Sequence, residues 1–267
     1  MMGEDTPLAA AQPSALLRKI WSDSNCVLLN FVGSSAEFAI NPAAEWLFYT
    51  GRLPADPIGR FAGTLRYVQK LMFAPTATAY AQTAREIRKI HTELEKKRGE
   101  TIPDISYRDV LFMNLEYSLR AYPFVFGREL LQSEKNLIVQ DFQGIGSLMS
   151  VPQMPATFDE YQAIRAERYR AFSYSEWTER LLDSYKQTIG AFRFHFFLLP
   201  IYRGLVAPEI AATLRLQPHP STWLFQQLSY PACRTGLGAV LRALILPIRA
   251  RTALLEWRGE RPALLSN

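Results

Sequence analysis

Three histidines are the main candidates for chemistry in this 267-residue chain, and His91 is the first of them. In the segment 83–97, which reads TAREIRKIHTELEKK, one apolar stripe at helical spacing holds Ile87, Ile90, His91 and Leu94. An inward-facing imidazole needs a partner for each ring nitrogen, which can be a hydrogen-bonding group, a metal or a cofactor. Two interpretations stay open from this pattern: a buried histidine satisfied by a backbone carbonyl, and a ligand.

His195 is the second ligand candidate. It lies within FRFHFF at 192–197, and its neighbours at helical spacing are apolar, so it is predicted to lie on an apolar side of a helix. An aromatic-rich stripe of this kind is more typical of core packing than of a cofactor site. His219 stands between two prolines in a predicted loop and is the weakest of the three candidates.

Asn114 and the pair Arg60 and Thr64 lie on predicted helices that must position them. Arg60 and Thr64 are four residues apart on a helix predicted over 59–73, so they point the same way. Asn114 belongs to a helix predicted from about Tyr107 to Tyr122, on one side with Leu111, Ser118 and Ala121. We therefore expect its amide to be buried, with an ordered water or the His91 helix as partner.

Helical periodicity recurs from Gly59 onward, whereas the alternation typical of strands does not. Thr157 and Glu160 form a capping box that opens one helix, Ser173 to Glu176 suggests the same for a longer helix ending near Pro200, and Ser133 suggests another. The prediction is an all-α, single-domain helical bundle over residues 1–267. Residues 1–13 are expected to be a flexible terminus.

Composition narrows the class of function. A hydrophobic content of 48% with 12% aromatic residues is enough for a sizeable core, and the two cysteines match no metal or redox spacing, which suggests a reducing compartment. The chain has no GxGxxG, no P-loop, no GxSxG and no HExxH. Nucleotide binding, serine hydrolysis and zinc proteolysis therefore lack their usual sequence support.

The net charge of +5 is concentrated towards the end of the chain, where residues 190–267 hold nine arginines, three acids and no lysine. These arginines are scattered among apolar residues, unlike the dense basic stripe of a nucleic-acid surface, and no nucleic-acid partner is predicted. A membrane surface, an anionic cofactor group and ordinary solvated arginines all stay open as interpretations. The expectation is a cytoplasmic protein whose peripheral membrane contact, if any, is weak and salt-sensitive.

Several short motifs follow one another in a recognisable order. They are Asp-Pro followed by Gly-Arg and Thr (Asp56, Pro57, Gly59, Arg60, Thr64), the Ile90-His91 pair, and Pro-Ala-Thr with acidic and aromatic neighbours at 155–161. This order, over roughly residues 56–170, resembles the MpaB-type oxygenase and latex-clearing protein (rubber oxygenase) family. The resemblance implies an all-helical, globin-like fold that holds a b-type haem and uses dioxygen to cleave carbon–carbon double bonds in isoprenoid or other apolar chains.

One departure from the family pattern concerns its haem ligand. Typical members of the family that this chain resembles carry Trp-Val-His-Ala-Thr in the helix after the Ile-His helix, and that histidine serves as a haem ligand. Here the segment reads LFMNLE at 111–116, which puts Asn114 at the histidine position, or Phe112 in a shifted register. Neither residue is a usual haem ligand.

The resemblance then implies the following roles. His91 is the candidate axial ligand and metal-binding residue, or else a hydrogen-bond donor beside the ligand, and His195 is the second candidate. Arg60 and Arg88 could neutralise the haem propionates. Arg60 and Thr64 would face the cofactor pocket, and together with Asn114 they are the candidate catalytic residues for a reaction of dioxygen with a hydrophobic, unsaturated substrate. A salt-bridging or capping role near the helix start stays open for Arg60. Two alternatives stay open: a haem-free helical protein that binds a hydrophobic ligand, and an enzyme with altered chemistry on the same fold.

Overall fold

The chain folds into helices joined by short loops. The computed structural model describes residues 12–44, 55–235 and 237–257, and no strand occurs in these ranges, which confirms the all-α, single-domain prediction. The globin-like arrangement of the core stays a prediction. In chain order the helices are α1 Ala15–Ser22, α2 Ser24–Phe38, α3 Pro57–Met72, α4 Ala77–Arg98, α5 Asp104–Phe126, α6 Gln132–Leu148, α7 Phe158–Arg170, α8 Glu176–Ile189, α9 Ala191–Arg193, a π-helical turn Phe194–Leu198, α10 Leu199–Leu205, α11 Pro208–Thr213, α12 Pro220–Arg234, α13 Leu237–Ile245 and α14 Ile248–Trp257.

Helix α5 lies at the centre of the fold. Buried residues occur all round it, which is expected of a helix with neighbours on every side. Helix α2 packs directly along it, and the contact is close because Gly33 faces the Tyr117 ring: a Cβ at position 33 would lie 2.1 Å from that ring. Asn30 joins the same two helices by donating hydrogen bonds to the Asn114 carbonyl (2.8 Å) and to Ser118 Oγ (3.2 Å).

Helix α4, which carries His91, has a defined start and end. Thr76 caps its first turn by accepting a hydrogen bond from the Ala79 amide at 3.1 Å. Gly99 ends it with φ of 72°, a left-handed conformation that favours glycine because it has no Cβ. A short loop then leads into α5, so His91 near the end of α4 and Tyr107 at the start of α5 are brought side by side.

Several helix ends differ from the predicted ones. The long helix expected to end near Pro200 is broken after Ile189, because Gly190 has φ of 88° and a π-helical turn follows. The N-cap of α8 is Ser175 and not Ser173, and the N-cap of α6 is Leu131 and not Ser133. Thr157 caps α7 as predicted, because its side-chain oxygen accepts a hydrogen bond from the Glu160 amide at 3.2 Å.

The N-terminal boundary also differs from the prediction. Residues 12 and 13 were expected in the flexible segment, but the Gln12 side chain donates to the Ala74 carbonyl at 2.7 Å and Pro13 is buried. Residues 1–11, the rest of that segment, lie outside the described ranges. The packed fold therefore begins no later than Gln12.

A buried ion pair connects α2 with α7. Arg165 Nη1 and Nη2 donate to the two carboxylate oxygens of Glu37 at 2.8 and 2.6 Å, and the side chains are 2% and 0% exposed. Burial raises the pKa of Glu37, against the opposing effect of the Arg165 guanidinium. Tyr117 from α5 donates to the same carboxylate at 3.3 Å. Three helices thus meet at one charge pair.

Glu116 on α5 forms the second part of this cluster. Its carboxylate accepts hydrogen bonds from Arg120 Nε at 2.5 Å, from Tyr169 at 3.3 Å and from Tyr161. Burial alone would raise the pKa of Glu116, but Arg120 and Arg165 outweigh it and hold the pKa below its usual range. Glu116 and Arg120 are four residues apart on α5, and their side chains are 10% and 34% exposed, so the pair lies mostly inside the fold.

A third charge pair extends the cluster along α7. Arg168 donates two hydrogen bonds to the buried Asp109 carboxylate, at 3.1 and 2.7 Å, and Asn41 donates to the same carboxylate at 3.0 Å. The polar core therefore runs through α2, α5 and α7, and every carboxylate in it has a guanidinium partner. Such pairing is what makes buried charge tolerable.

No helix within the described ranges combines the length and apolarity needed to cross a bilayer.

Candidate functional site

His91 is half-buried on α4, with its imidazole edge-on to the Tyr107 ring at a centroid distance of 5.3 Å. Its Nδ1 lies 2.7 Å from the Ile87 carbonyl oxygen one turn earlier. A carbonyl oxygen can only accept, so Nδ1 carries the proton and the neutral imidazole has its lone pair on Nε2. This is the tautomer that histidine ligands commonly use, with the second nitrogen oriented by a backbone carbonyl.

The environment keeps this imidazole neutral. Burial lowers the pKa of His91, and the nearby guanidinium groups of Arg60 and Arg88 lower it further, while the Ile87 bond and Glu95 act in the opposite direction. The two arginines predicted to act with His91 are therefore close enough to influence its charge. The site combines a neutral donor nitrogen with positive charge beside it.

Arg88 is held against Tyr107, with its guanidinium carbon 4.3 Å from the ring centroid. Its buried Nη1 has no hydrogen-bond partner within the described part of the chain. Tyr107 is fixed in turn, since its hydroxyl donates to Glu95 at 3.2 Å, and Glu95 also accepts from the Ile102 amide at 2.9 Å. The loop from α4 to α5 thus positions both His91 and Arg88.

Arg60 and Thr64 lie on α3, which packs against α4. Thr64 Oγ1 donates to the Arg60 carbonyl at 3.1 Å, and the Arg60 side chain is exposed. Arg60 therefore lies on the helix that packs beside the one carrying Arg88 and His91, and Thr64 lies one turn along α3 from Arg60. The predicted apolar stripe holds for Ile87, His91 and Leu94, which are half-buried, but Ile90 is exposed.

Asn114 lies apart from this group. It is only partly buried, and its Nδ2 donates to the Val110 carbonyl of its own helix at 2.8 Å, so neither the His91 helix nor a water is needed as its partner. It sits seven residues beyond Tyr107 on α5, which is roughly 10 Å along a helix. Phe112, the residue that the shifted register puts at the histidine position, is fully buried against Tyr161.

His195 lies in a different part of the molecule. It is exposed on the π-helical turn, contrary to the expected apolar side, because the turn rotates residues 194–198 out of the α-helical pattern. With His219 it lines a cavity of about 630 Å³ between α8 and α11, together with Glu179, Asp183 and Arg215. None of the residues lining this cavity belongs to α3, α4 or α5, so His195 does not join the His91 group.

A second cavity, of about 390 Å³, lies where α14 meets the start of α3 and the end of α8. Arg193, Arg249 and Arg251 line it, and Asp56 is 3.5 Å from Arg249. Neither cavity is lined by His91 or Asn114. The three arginines that line this cavity are therefore separate from the predicted site.

The depressed pKa of His91 makes stability depend on pH in one direction. Below about pH 6.5 the unfolded chain takes up a proton on this imidazole that the folded chain resists, so stability falls as the pH drops through the folded pKa. As the pH is lowered from about 7.5 to about 5, we expect the free energy of unfolding of His91→Gln to fall less than that of wild type. Urea titrations measure this difference. His219→Gln, at an exposed position, should follow wild type, and parallel curves for all three would contradict the assignment.

Some of the predicted site residues suit haem binding and one does not. A neutral imidazole with its lone pair on Nε2 suits an axial ligand, and the unpaired Nη1 of Arg88 suits a propionate. Asn114 does not fit, because a neutral amide already committed to Val110 is no iron ligand. Histidine, cysteine and carboxylate side chains form no cluster of three suited to a metal ion in the described ranges.

A family model matches most of this chain. A family model described as "ER-bound oxygenase mpaB/B'/Rubber oxygenase, catalytic domain" matches residues 28–261, which is wider than the 56–170 segment expected from the motifs. No curated protein and no solved structure matches the chain.

Proposed function

Since the chain belongs to the mpaB/B′ and rubber oxygenase catalytic-domain family, we propose that it is a haem-dependent oxygenase that acts on a hydrophobic, unsaturated isoprenoid or acyl substrate. The family is that of an oxygenase catalytic domain, so oxidoreductase chemistry is the general class. Haem b, dioxygen and the apolar substrate are the proposed additions. A haem-dependent function also has to account for Asn114, which stands where the family resemblance places the ligand histidine.

The observation that carries the proposal is the hydrogen bond from His91 Nδ1 to the Ile87 carbonyl. It fixes the ring and leaves the lone pair of the neutral imidazole on Nε2, the atom that would hold the haem iron. Arg60 and Arg88 place positive charge beside the ring, which suits two carboxylates. His91 is therefore proposed as the ligand and the two arginines as the groups that hold the propionates.

A bound haem would supply the iron that reacts with dioxygen. In the proposed reaction one carbon–carbon double bond and one dioxygen molecule give two carbonyl groups, so the atoms balance without a further reductant. The contribution of the protein is to hold the donor nitrogen, to neutralise the carboxylates and to exclude water. Tyr107 supports the first two of these roles, because it contacts both His91 and Arg88.

Titration of the purified full-length chain with haemin tests the proposal. We expect a Soret band that saturates at one haem per chain. The loaded protein under air should convert squalene into carbonyl products and leave squalane, the saturated chain, unchanged. A wild-type protein that gains no defined Soret band would exclude the haem-dependent function.

One observation favours a second candidate, a haem-free helical protein that binds a hydrophobic ligand. The amide of Asn114 stands where the family resemblance places the ligand histidine, and it is satisfied by its own helix. On this alternative His91 is a structural residue whose Nδ1 is satisfied by Ile87. This alternative predicts that the purified protein retains an apolar chain molecule and shows no haem absorption bands.

A further inference from the structure

Exposed apolar side chains are concentrated near the C-terminal end of the described chain. Helix α12 packs inward through Phe225, whose ring lies 5.0 Å from Phe124, and through Ser229 and Ala232. Its outer side exposes large apolar residues beside two glutamines, Gln226 and Gln227. Trp223 is 64% exposed, and the other large apolar residues exposed there are Leu224, Leu228 and Tyr230. A surface helix normally carries charge on its outer face, so this one is unusual.

Helix α13 continues the apolar surface. It packs against α12 and exposes Leu237 and Val240, which are one turn apart. At the start of α14, Ile248 is 75% exposed. Single exposed apolar residues are ordinary on protein surfaces, but a run of them over three successive helices indicates an interaction surface.

The stretch of chain that forms these three helices carries mainly positive charge. No acidic residue occurs between Glu209 and Glu256, and the only charged residues of α12 and α13 are Arg234 and Arg242. Ile248 borders the 390 Å³ cavity lined by Arg193, Arg249 and Arg251. Asp56 offsets part of this charge through its contact with Arg249. The apolar surface is thus flanked by an excess of guanidinium groups.

We propose that α12, α13 and the start of α14 form a docking surface for an anionic lipid bilayer. The tryptophan and leucine side chains would enter the acyl boundary, and the arginines would contact the phosphate groups above it. Tryptophan and arginine suit this boundary because each combines an apolar body with a polar end. A bilayer satisfies both properties of the surface, the apolar outer face and the surrounding positive charge.

Vesicle co-sedimentation of the full-length protein tests this surface. We expect binding to vesicles of phosphatidylcholine mixed with phosphatidylserine at low salt, weaker binding at high salt, and little binding to phosphatidylcholine alone. The double substitution Leu228→Ser/Leu237→Ser should weaken binding at least about tenfold. Arg234→Glu/Arg249→Glu should do the same through charge.

Control substitutions at exposed residues elsewhere test whether the loss of vesicle binding is specific to this surface. Leu131→Ser/Leu137→Ser changes two exposed leucines elsewhere, and Arg66→Glu/Arg85→Glu changes two exposed arginines elsewhere. Both control proteins should bind like wild type. Equal losses in test and control variants, or no wild-type binding to anionic vesicles at low salt, would overturn the proposal. So would light scattering that shows a dimer which Leu228→Ser/Leu237→Ser dissociates, because a second copy would then cover the surface.

Discussion

Replacing Glu37 with alanine is expected to lower the free energy of unfolding by about 3–5 kcal/mol, because Arg165 would be left buried without its partner. Two short hydrogen bonds, at 2.8 and 2.6 Å, join these side chains, and neither is accessible to water that could replace the lost carboxylate. The Arg165 Nε, 3.8 Å from Glu116, gains no comparable bond. Urea denaturation followed by circular dichroism measures the loss.

The chain offers a matched control for this experiment. Arg128 and Glu134 form a bidentate pair with nearly the same distances, 2.7 and 2.6 Å, but at the surface. Glu134→Ala should therefore cause a much smaller loss, because solvent screens an exposed pair. The double variant Glu37→Ala/Arg165→Leu should be less destabilised than the sum of its single substitutions. Equal losses for Glu37→Ala and Glu134→Ala would show that burial does not determine the effect.

Introducing the missing histidine is expected to strengthen haem uptake. Asn114 Nδ2 donates to the Val110 carbonyl four residues earlier, and His91 Nδ1 donates to the Ile87 carbonyl in the same way. A histidine at position 114 can therefore use Val110 to orient its ring and direct Nε2 outward. Haemin affinity of Asn114→His should exceed that of wild type by at least about tenfold, as measured by Soret titration.

His91→Ala gives the complementary result. If His91 is the axial ligand, the Soret band of the reconstituted protein should disappear, whereas the exposed His219→Ala should keep it. A protein that binds haem stoichiometrically and retains the band in His91→Ala would show that this ligand assignment is wrong and would direct attention to His195. The haem-free alternative predicts no band in wild type, only a stability change in His91→Ala, and little restored by Asn114→His.

The sequence predicted those parts of the site that depend on local periodicity. The spacing of His91, Arg88 and Ile87 within one helix is enough to place the imidazole on the inner side and to suggest a backbone carbonyl as partner. That Arg60 lies near His91 came from the resemblance, because it depends on how α3 packs against α4. Tyr107 was not singled out, since its role depends on the loop between α4 and α5.

The buried charges were missed for a different reason. Arg165 belongs to FDEYQAIRAERYR, which reads as a solvated helix, and nothing in that segment marks one arginine as buried. Glu37 did carry a signal, because it is the only charged residue in the otherwise apolar or small-residue helix α2. A carboxylate there needs a distant cation. Its identity depends on tertiary packing, as does the π-helical turn that exposes His195.

The order in which the chain is synthesised adds a constraint to the Glu37–Arg165 pair. The two residues are 128 positions apart, so a ribosome releases all of α2 and α5 well before Arg165 emerges. Docking of α2 against α5 in that interval would bury the Glu37 carboxylate with Tyr117 as a hydrogen-bond donor and no guanidinium from α7. The emerging chain is therefore expected to delay this docking, with α2 open to solvent or to a chaperone, until α7 supplies the charge that lets the helices close.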